Sequence, residues 1–287
     1  KPTRVLPGEK QLHELYPLGT EQADLRLPRS EKFWTWRNFF LRLDDTFKFL
    51  QPLRIGVLRQ RALEAAERWM LERIREGSDG LAAVYPAMLN CMIALRSLGY
   101  SKTHPVYTKA EKDFAGLFVD DPEDFRIQPC LSPVWDTAIT VISLADSGFS
   151  PEHPALQKAA EWLVNKEVRI RGDWAINNSY PEASGWAFEY NNVYYADTDD
   201  TAMVLMALRL VQPSDSQSLN DLFRRALAWQ LSFQCRDGGW AAFDKDVTTA
   251  WLEDMPFADH NAILDPTCSD LTARTLELLT SATRSRR

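Results

Sequence analysis

A pair of unlike helical segments recurs along the chain, and this repeat limits the fold more than any other feature. The first segment of each pair is Ala-rich with a basic residue and a Trp, and its copies lie at 65–70, 158–163 and 224–229. A turn that contains glycine follows each copy, at 78–80, 171–174 and 237–240. We therefore expect each first segment to form a helix that ends at a turn.

The second segment of each pair is apolar on nearly all sides. Its copies cover 86–100, 135–148, 200–210 and 270–279. A helix that is apolar all round belongs inside, whereas the first segments carry charge on one side and belong outside. Alternating outer and inner helices predict an all-α fold, an α/α barrel or toroid whose units bury their faces against their neighbours. Strand patterns with alternating polarity are nearly absent.

A proline-bounded break at 128–133 predicts a domain boundary. Residues 1–130 would then belong to a first α/α barrel and residues 131–287 to a second, although the repeats could equally continue across the break. The chain begins with Lys and stops after an inner-type helix without an outer partner. We expect it to be a fragment of a longer chain.

Composition excludes some classes of function. Lys and Arg number 33 against 40 Asp and Glu, a net charge of −7, and the absence of a basic cluster argues against nucleic-acid binding. Four dispersed cysteines argue against a structural zinc site and are expected to be reduced core residues: Cys91, Cys130, Cys235 and Cys268. No apolar run reaches the roughly 18 residues of a membrane span, which indicates a soluble or peripherally membrane-bound protein.

The segment 45–59 is a candidate for membrane contact. Aromatic residues are dense before it, and basic residues such as Arg54 and Arg59 alternate with apolar ones inside it. This pattern suits an interfacial helix, with its apolar face at the lipid boundary and its basic residues at the headgroups. An ordinary amphipathic helix that packs on the core is the simpler explanation of the pattern alone.

Three carboxylates open the apolar run 194–208, in the order Asp197-Thr198-Asp199-Asp200. Carboxylates in a first helical turn interact favourably with the helix dipole and can cap free amides. A well-capped helix is therefore the simplest explanation of this stretch on its own.

Several motifs together resemble one enzyme family. The stretch 225–240, with Trp229-Gln230 and Gly239-Trp240, resembles the QW repeat of the triterpene cyclases, and 158–174 is a weaker copy with Glu167 in place of Gln. Asp197-Thr198-Asp199-Asp200 resembles the Asp-x-Asp-Asp acid motif of class II terpene cyclases. Further matches lie at 128–137, 185–189 and 238–246. Over most of its length the chain resembles the bacterial squalene-hopene cyclases.

The resemblance implies two α/α barrels that flank an apolar cavity, in an enzyme seated monotopically on the cytoplasmic face of the bacterial cell membrane. It implies cyclisation of squalene to hopene or hopanol, with no cofactor and no metal. The match covers a middle part of such an enzyme, so the residues that terminate the reaction are expected elsewhere and this chain is expected to be inactive by itself. A homodimer is left open.

The acid chemistry explains the carboxylates that the resemblance points to. An alkene is a very weak base, so its proton donor must be a carboxylic acid that is still protonated at neutral pH. Crowding and desolvation raise carboxyl pKa values in this way. The resemblance makes Asp199 the donor, with Asp197 and Asp200 flanking it.

A second pair, Asp270 and Arg274, matches a position that the family places near the acid. Some members have His where Arg274 stands, and a permanent cation favours charge on the carboxylates that it contacts. The alternative for this pair is a plain ion pair one helical turn apart on the surface.

Aromatic side chains would guide the migrating positive charge, each contributing about 0.5–2 kcal/mol. Trp135, Phe188 and Phe243 match cavity positions of the family, and Asp136 lies in the same motif as Trp135. Val84, Tyr85 and Pro86 resemble a cavity wall or substrate channel. Core packing is the simpler explanation for each aromatic residue alone. We assign Trp229 and Trp240 to structure.

Three other interpretations remain open. One is a class II cyclase that acts on a different polyprenoid. Another is a prenyltransferase β-subunit, which shares the barrel but requires an Asp/Cys/His zinc site. The third is a non-catalytic helical-repeat binding module, which leaves the Asp cluster unexplained.

Overall fold

The structure is a computed structural model that describes residues 16, 19, 26–50, 56–75, 78–121, 123–179, 181–211, 216–256 and 263–284. In these ranges the α-helices are α1 Trp36–Leu50, α2 Gly56–Arg75, α3 Tyr85–Leu98, α4 Pro105–Ala115, α5 Pro133–Asp146, α6 Pro154–Asn165, α7 Thr198–Val211, α8 Ser216–Ser232 and α9 Ser269–Arg284. A hairpin joins β1 Phe118–Asp121 to β2 Asp124–Ile127. Short 3₁₀ turns lie at Leu81–Ala83, Asp173–Ile176 and Ala250–Leu252.

The predicted helix pairs and the all-α fold class are confirmed. The three first segments lie in α2, α6 and α8, and the four second segments form α3, α5, α7 and α9. Helices α5, α7 and α9 pack side by side as an inner row, while α6 packs on α5 and α7 and α8 packs on α7. Helix α7 therefore lies at the centre of this part of the molecule.

Burial is most complete in α7. It contributes more side chains to the main hydrophobic core than any other helix, with those of α5, α6 and α8 around them. Each inner-type helix leaves a large apolar side chain exposed, namely Ile93 in α3, Ile139 in α5, Leu276 in α9 and, in the last turn of α7, Leu210. The expectation that an apolar helix is enclosed on every side thus holds best for α7.

The hairpin and α4 were not predicted from the sequence. Each strand has only four residues, too few for a period-two pattern, and Phe118 is paired with Ile127 in antiparallel register. Phe118 also meets Phe125 edge to face at 5.7 Å. Aromatic contact across the two strands stabilises a hairpin that the polarity pattern does not reveal.

The two tryptophans assigned to structure lie in the core. Trp229 is fully buried and packs against Phe233, with ring centroids 4.4 Å apart. Trp240 Nε1 donates to the carbonyl oxygen of Gln230 at 2.9 Å, and Gln230 Nε2 donates to Thr275 Oγ1 at 2.9 Å. These contacts connect α8 to the following turn and to α9.

The expectation that all four cysteines are core residues is wrong in part. Cys91 and Cys235 are buried, Cys130 is half-buried and Cys268 is exposed, and all four are free thiols. Cys268 lies in the loop just before α9, where its neighbours are also largely exposed.

The segment that precedes α7 is held by the first part of the chain. Ser78 forms a β-bridge with Asn192, and the Asp79 N–H donates to the Asn191 carbonyl oxygen at 2.9 Å. Arg73 forms an ion pair with Asp173, and its guanidinium lies 4.1 Å from the centroid of the Trp69 ring. The first part of the chain thereby fixes the approach to the acid motif.

Candidate active site

Asp197 is the cap of α7. The helix begins at Thr198, later than the run at 194–208 suggested, because Asp197 Oδ1 accepts the backbone N–H of Asp200 at 2.7 Å. Thr201 Oγ1 donates to the Asp197 carbonyl oxygen at 2.6 Å and accepts the Trp186 N–H at 3.0 Å. Capping therefore explains Asp197, but it does not explain Asp200, whose side chain is also buried.

The motif at 185–189 lies directly against this helix end. Trp186 forms a β-bridge with Asp197, and its indole Nε1 donates to the Leu163 carbonyl oxygen at 2.7 Å. A Cβ atom at Gly185 would lie 3.0 Å from Thr201 Oγ1 and 3.1 Å from the Trp229 ring. Glycine at this position permits the close approach that seats the acid motif.

Two of the three carboxyl groups are held away from water. Asp197 and Asp200 are 4% and 3% exposed. Burial is the main reason that the pKa of both is raised, because it disfavours the charged form. The charge of Asp200 raises the pKa of Asp197 further, whereas for Asp200 the hydrogen bond with Asp197 lowers the pKa and the charges of Asp199 and Glu189 raise it. Oδ1 of Asp200 is buried and has no hydrogen-bond partner within the described residues. The pair Asp197 and Asp200 therefore favours a state in which one of its two carboxyl groups is protonated.

Asp199 has a different environment. Its side chain is one quarter exposed and forms an ion pair with Arg274 of α9. The Arg274 guanidinium also lies 5.1 Å from the centroid of the Trp135 ring. Arg274 thus pairs with Asp199 rather than with Asp270, which is exposed one turn earlier on α9.

A cavity of about 490 Å³ opens in front of Asp197. It brings together four residues singled out from the sequence, namely Val84, Phe188, Asp197 and Phe243. The rest of its wall consists of Ala82, Asp173, Trp174, Glu189, Asn192, Tyr194, Tyr195, Ala196 and Asp244. The wall is mainly apolar and aromatic, with the acid motif at one side.

Other predicted site residues lie outside this wall. Trp135 does not line the cavity but lies behind Phe188, and the centroids of the two rings are 6.4 Å apart. Tyr85 begins α3 and packs on Phe114 at 5.2 Å, while Pro86 beside it is exposed. Asp136 is exposed in the first turn of α5 and accepts the Ser132 hydroxyl at 2.9 Å.

The sequence interpretation gave no role to Glu189 or Asp265. Burial is the main reason that the pKa of Glu189 rises to about 7, and Asn192 Nδ2 donates to its Oε2 at 2.9 Å. Asp265 Oδ2 accepts the backbone N–H groups of Phe243 and Asp244 at 2.6 and 2.7 Å, and so positions Phe243. The sequence signals for Glu189 were its place in the matched stretch 185–189 and its position between two aromatic residues, Phe188 and Tyr190.

The described part of the chain has neither a cluster of metal ligands nor a helix suited to cross a membrane. No group of three or more His, Cys, Asp or Glu residues there is placed to hold a metal ion. None of the helices described has both the length and the apolar character needed to cross a bilayer.

Two family models and several individual relatives match this chain, and they indicate the same family. The model of the squalene-hopene cyclase N-terminal domain matches residues 1–123, and that of the C-terminal domain matches residues 131–287. Dammaradiene synthase of Dryopteris crassirhizoma is 40% identical over 97% of this chain and 40% of its own length. Squalene-hopene cyclases of Bradyrhizobium diazoefficiens and Alicyclobacillus acidocaldarius are 34% and 33% identical, over 97% and 96% of this chain. Those matches cover 42% and 43% of the two relatives, so the chain spans about two fifths of their length.

The raised pKa values predict how stability depends on pH. Unfolded Asp ionises near pH ~4, whereas Asp200 in the folded protein has its pKa raised to about 7. Between these values the folded state binds more protons, so the free energy of unfolding falls as the pH rises. Asp200→Asn should reduce this fall by about 1–3 kcal/mol, measured by urea unfolding across the same pH range.

Asp120→Asn, on the exposed face of β1, is the matched control and should leave the pH dependence unchanged. An equally steep fall in stability in Asp200→Asn would contradict the raised pKa assigned to Asp200.

Proposed function

Because the chain belongs to the squalene-hopene cyclase family, we propose that it forms the acid-bearing part of a class II triterpene cyclase. Such an enzyme starts cyclisation by protonating an alkene of a polyprenoid. The observation that carries this proposal is the buried pair Asp197 and Asp200 beside an apolar, aromatic cavity. A capped helix alone needs one carboxylate at the cap and gives no reason to bury a second.

The proposed proton donor is Asp199. It adjoins the buried pair in sequence and contacts Arg274, whose fixed positive charge stabilises the carboxylate that remains after the proton has left. The buried pair favours the opposite state, because desolvation disfavours charge on Asp197 and Asp200. In this arrangement Asp197 and Asp200 keep a proton that can be passed to Asp199.

Aromatic faces are proposed to stabilise the carbocation that follows protonation. Phe188 and Phe243 line the cavity, and Trp135 stands behind Phe188. Each face contributes about 0.5–2 kcal/mol to a nearby cation, and more where water is excluded. Trp135 already contacts one cation, Arg274, so its proposed part is to hold Arg274 beside Asp199. Asp270 and Asp136, both exposed, are assigned no contact with substrate in this proposal.

The proposed substrate is squalene, with hopene or hopanol as product. The mainly apolar wall of the cavity suits a hydrocarbon, and the bacterial relatives named above are squalene-hopene cyclases. The second candidate is a class II cyclase that forms another triterpene skeleton, and the 40% identity to a dammaradiene synthase favours it. Product analysis separates the two.

We further propose peripheral membrane binding on the cytoplasmic face, through the end of α1. Phe47 and Phe49 are 63% and 79% exposed, and Lys48 lies between them. Apolar rings beside a basic side chain suit the boundary between lipid tails and headgroups. Residues 51–55, in the middle of the predicted membrane segment 45–59, lie outside the described residues.

Membrane binding can be tested with liposomes of phosphatidylcholine and phosphatidylglycerol. Changing Phe47 and Phe49 together to Ser should lower the bound fraction of an enzyme that contains this chain by about 10-fold or more, because each buried Phe contributes about 1.5–3 kcal/mol. Phe125→Ser, at a ring that is 61% exposed in β2, is the control. Equal binding by the double variant and the wild type would overturn the proposed surface.

The acid assignment can be tested by product analysis. An active enzyme that contains this chain is incubated with squalene in detergent, and its products are identified by gas chromatography and mass spectrometry. Asp199→Asn keeps the size of the side chain but cannot donate the proton, so turnover should fall by about 100- to 10,000-fold or more. The melting temperature should change little, since Asp199 is partly exposed.

Asp120→Asn is again the control and should keep full activity. Pentacyclic product from the wild type and none from Asp199→Asn supports both the reaction and the acid. A different cyclic triterpene would favour the second candidate. Equal product from Asp199→Asn and the wild type would overturn the assignment of the acid.

A further inference from the structure

Glu189 lies where three cavities meet. It lines the 490 Å³ cavity together with Asp197. It also lines a cavity of about 200 Å³ beside the exposed residues Asp79 and Lys112, and one of about 300 Å³ beside the exposed Arg169. The linings of these three cavities share Glu189 alone. Its carboxyl group therefore stands between the acid motif and two cavities bordered by surface side chains.

Asn192 fixes the orientation of this carboxyl group. Its Nδ2 donates to Glu189 Oε2 at 2.9 Å and to the Ala82 carbonyl oxygen at 3.2 Å. The Nδ2 amide group of Asn192 thus makes two hydrogen bonds, while its buried Oδ1 accepts none from the described residues. Oδ1 of Asp200 is likewise buried and has no hydrogen-bond partner among the described residues. Two buried acceptor oxygens near Glu189 and the acid motif call for a donor, and a protonated carboxyl group is one.

The charges around Glu189 are arranged for proton transfer. Burial favours its neutral form, and Asp79 adds to this effect. The negative charge of ionised Glu189 in turn raises the pKa of Asp200, so each group responds to the proton on the other. The other charged or titratable groups that line the same cavities are Lys112, Asp113, Lys166, Glu167, Arg169, Asp173, Tyr190, Tyr194, Tyr195, Asp197 and Asp244.

We propose that Glu189 supplies the proton that restores the donor carboxyl group after each turnover, acting through Asp200. This inference rests on the proposed cyclase function. Protonation of the alkene leaves Asp199 as a carboxylate beside Arg274, an environment that favours the charged state. The Glu189 O–H bond breaks, and a proton passes by way of Asp200 to Asp199. Glu189 then takes up a proton from a hydronium ion or a buffer acid through the smaller cavities.

The protons balance over a cycle. One proton enters the protein through Glu189 and reaches the substrate through Asp199. One leaves the final carbocation, either directly to form an alkene or from a captured water molecule to form an alcohol. No oxidant, reductant or metal takes part in these steps.

Glu189→Gln separates the relay from a packing role. Glutamine keeps the length of the side chain, and its Oε1 can still accept the Asn192 Nδ2 hydrogen bond, but it cannot carry the proton. With enzyme in excess over squalene, the first turnover uses the proton already on the donor and should stay within about two-fold of the wild type. Steady-state kcat should fall about 10-fold or more, in line with the effect of losing a proton-transfer group.

The pH profile gives a second readout. Wild-type kcat should decline as the pH rises through about 7, where Glu189 loses its proton, and Glu189→Gln should lack this component of the decline. Glu161→Gln is the matched control, since Glu161 is exposed on α6 and lines none of the three cavities. It should change neither the first turnover nor kcat.

Three results would overturn the relay. In an active wild-type enzyme, an equal fall of the first turnover and kcat in Glu189→Gln would mean that Glu189 packs the substrate or the cavity wall. An unchanged kcat with an unchanged pH profile would also exclude it. A wild-type enzyme that cyclises no polyprenoid would instead remove the proposed function, and the relay with it.

Discussion

Desolvation of two carboxyl groups at the start of a buried helix is the constraint on which the rest of the site depends. The amino terminus of α7 would stabilise anions, yet Asp197 and Asp200 lie in the core, where a charge is costly. The backbone N–H of Asp200, the hydroxyl of Thr201 and the bridge to Trp186 hold the two groups in place. Two neighbouring carboxyl groups can be buried together at a lower free-energy cost if one of them keeps its proton.

Acid catalysis on an alkene has two opposite requirements. In our proposal Asp199 meets one of them, and the buried pair of Asp197 and Asp200 meets the other. A donor must part with its proton, and the fixed charge of Arg274 favours the state of Asp199 after it has done so. A reserve must keep its proton at neutral pH, and burial of Asp197 and Asp200 achieves this. Glu189 extends the reserve toward the surface in our proposal, because it borders both the acid cavity and two smaller ones.

Local sequence predicted the helices well because the apolar patterns are long and strong, and α7, with its cap, is the clearest case. Local sequence failed to predict contacts and burial that depend on how distant parts of the chain pack together. Spacing on α9 left open, as the alternative, a surface ion pair between Asp270 and Arg274, but the packing of α9 on α7 brings Arg274 to Asp199. Glu189 lies in a loop and is half-buried, and no local pattern indicates that a loop carboxylate is partly withdrawn from water. Tyr85 and Pro86 matched a motif, but the turn into α3 directs them away from the cavity wall.

The central claim is that a carboxyl group of the Asp197 and Asp200 pair keeps its proton at neutral pH. Infrared spectroscopy of the carbonyl stretch of protonated carboxyl groups, with exchange from H₂O to D₂O, tests it most directly. The account predicts a protonated carboxyl band in the wild type that persists in Glu189→Gln and Asp199→Asn but is lost or strongly reduced in Asp197→Asn. A spectrum with no such band in the wild type at neutral pH would show that both buried groups are ionised, and would contradict the account.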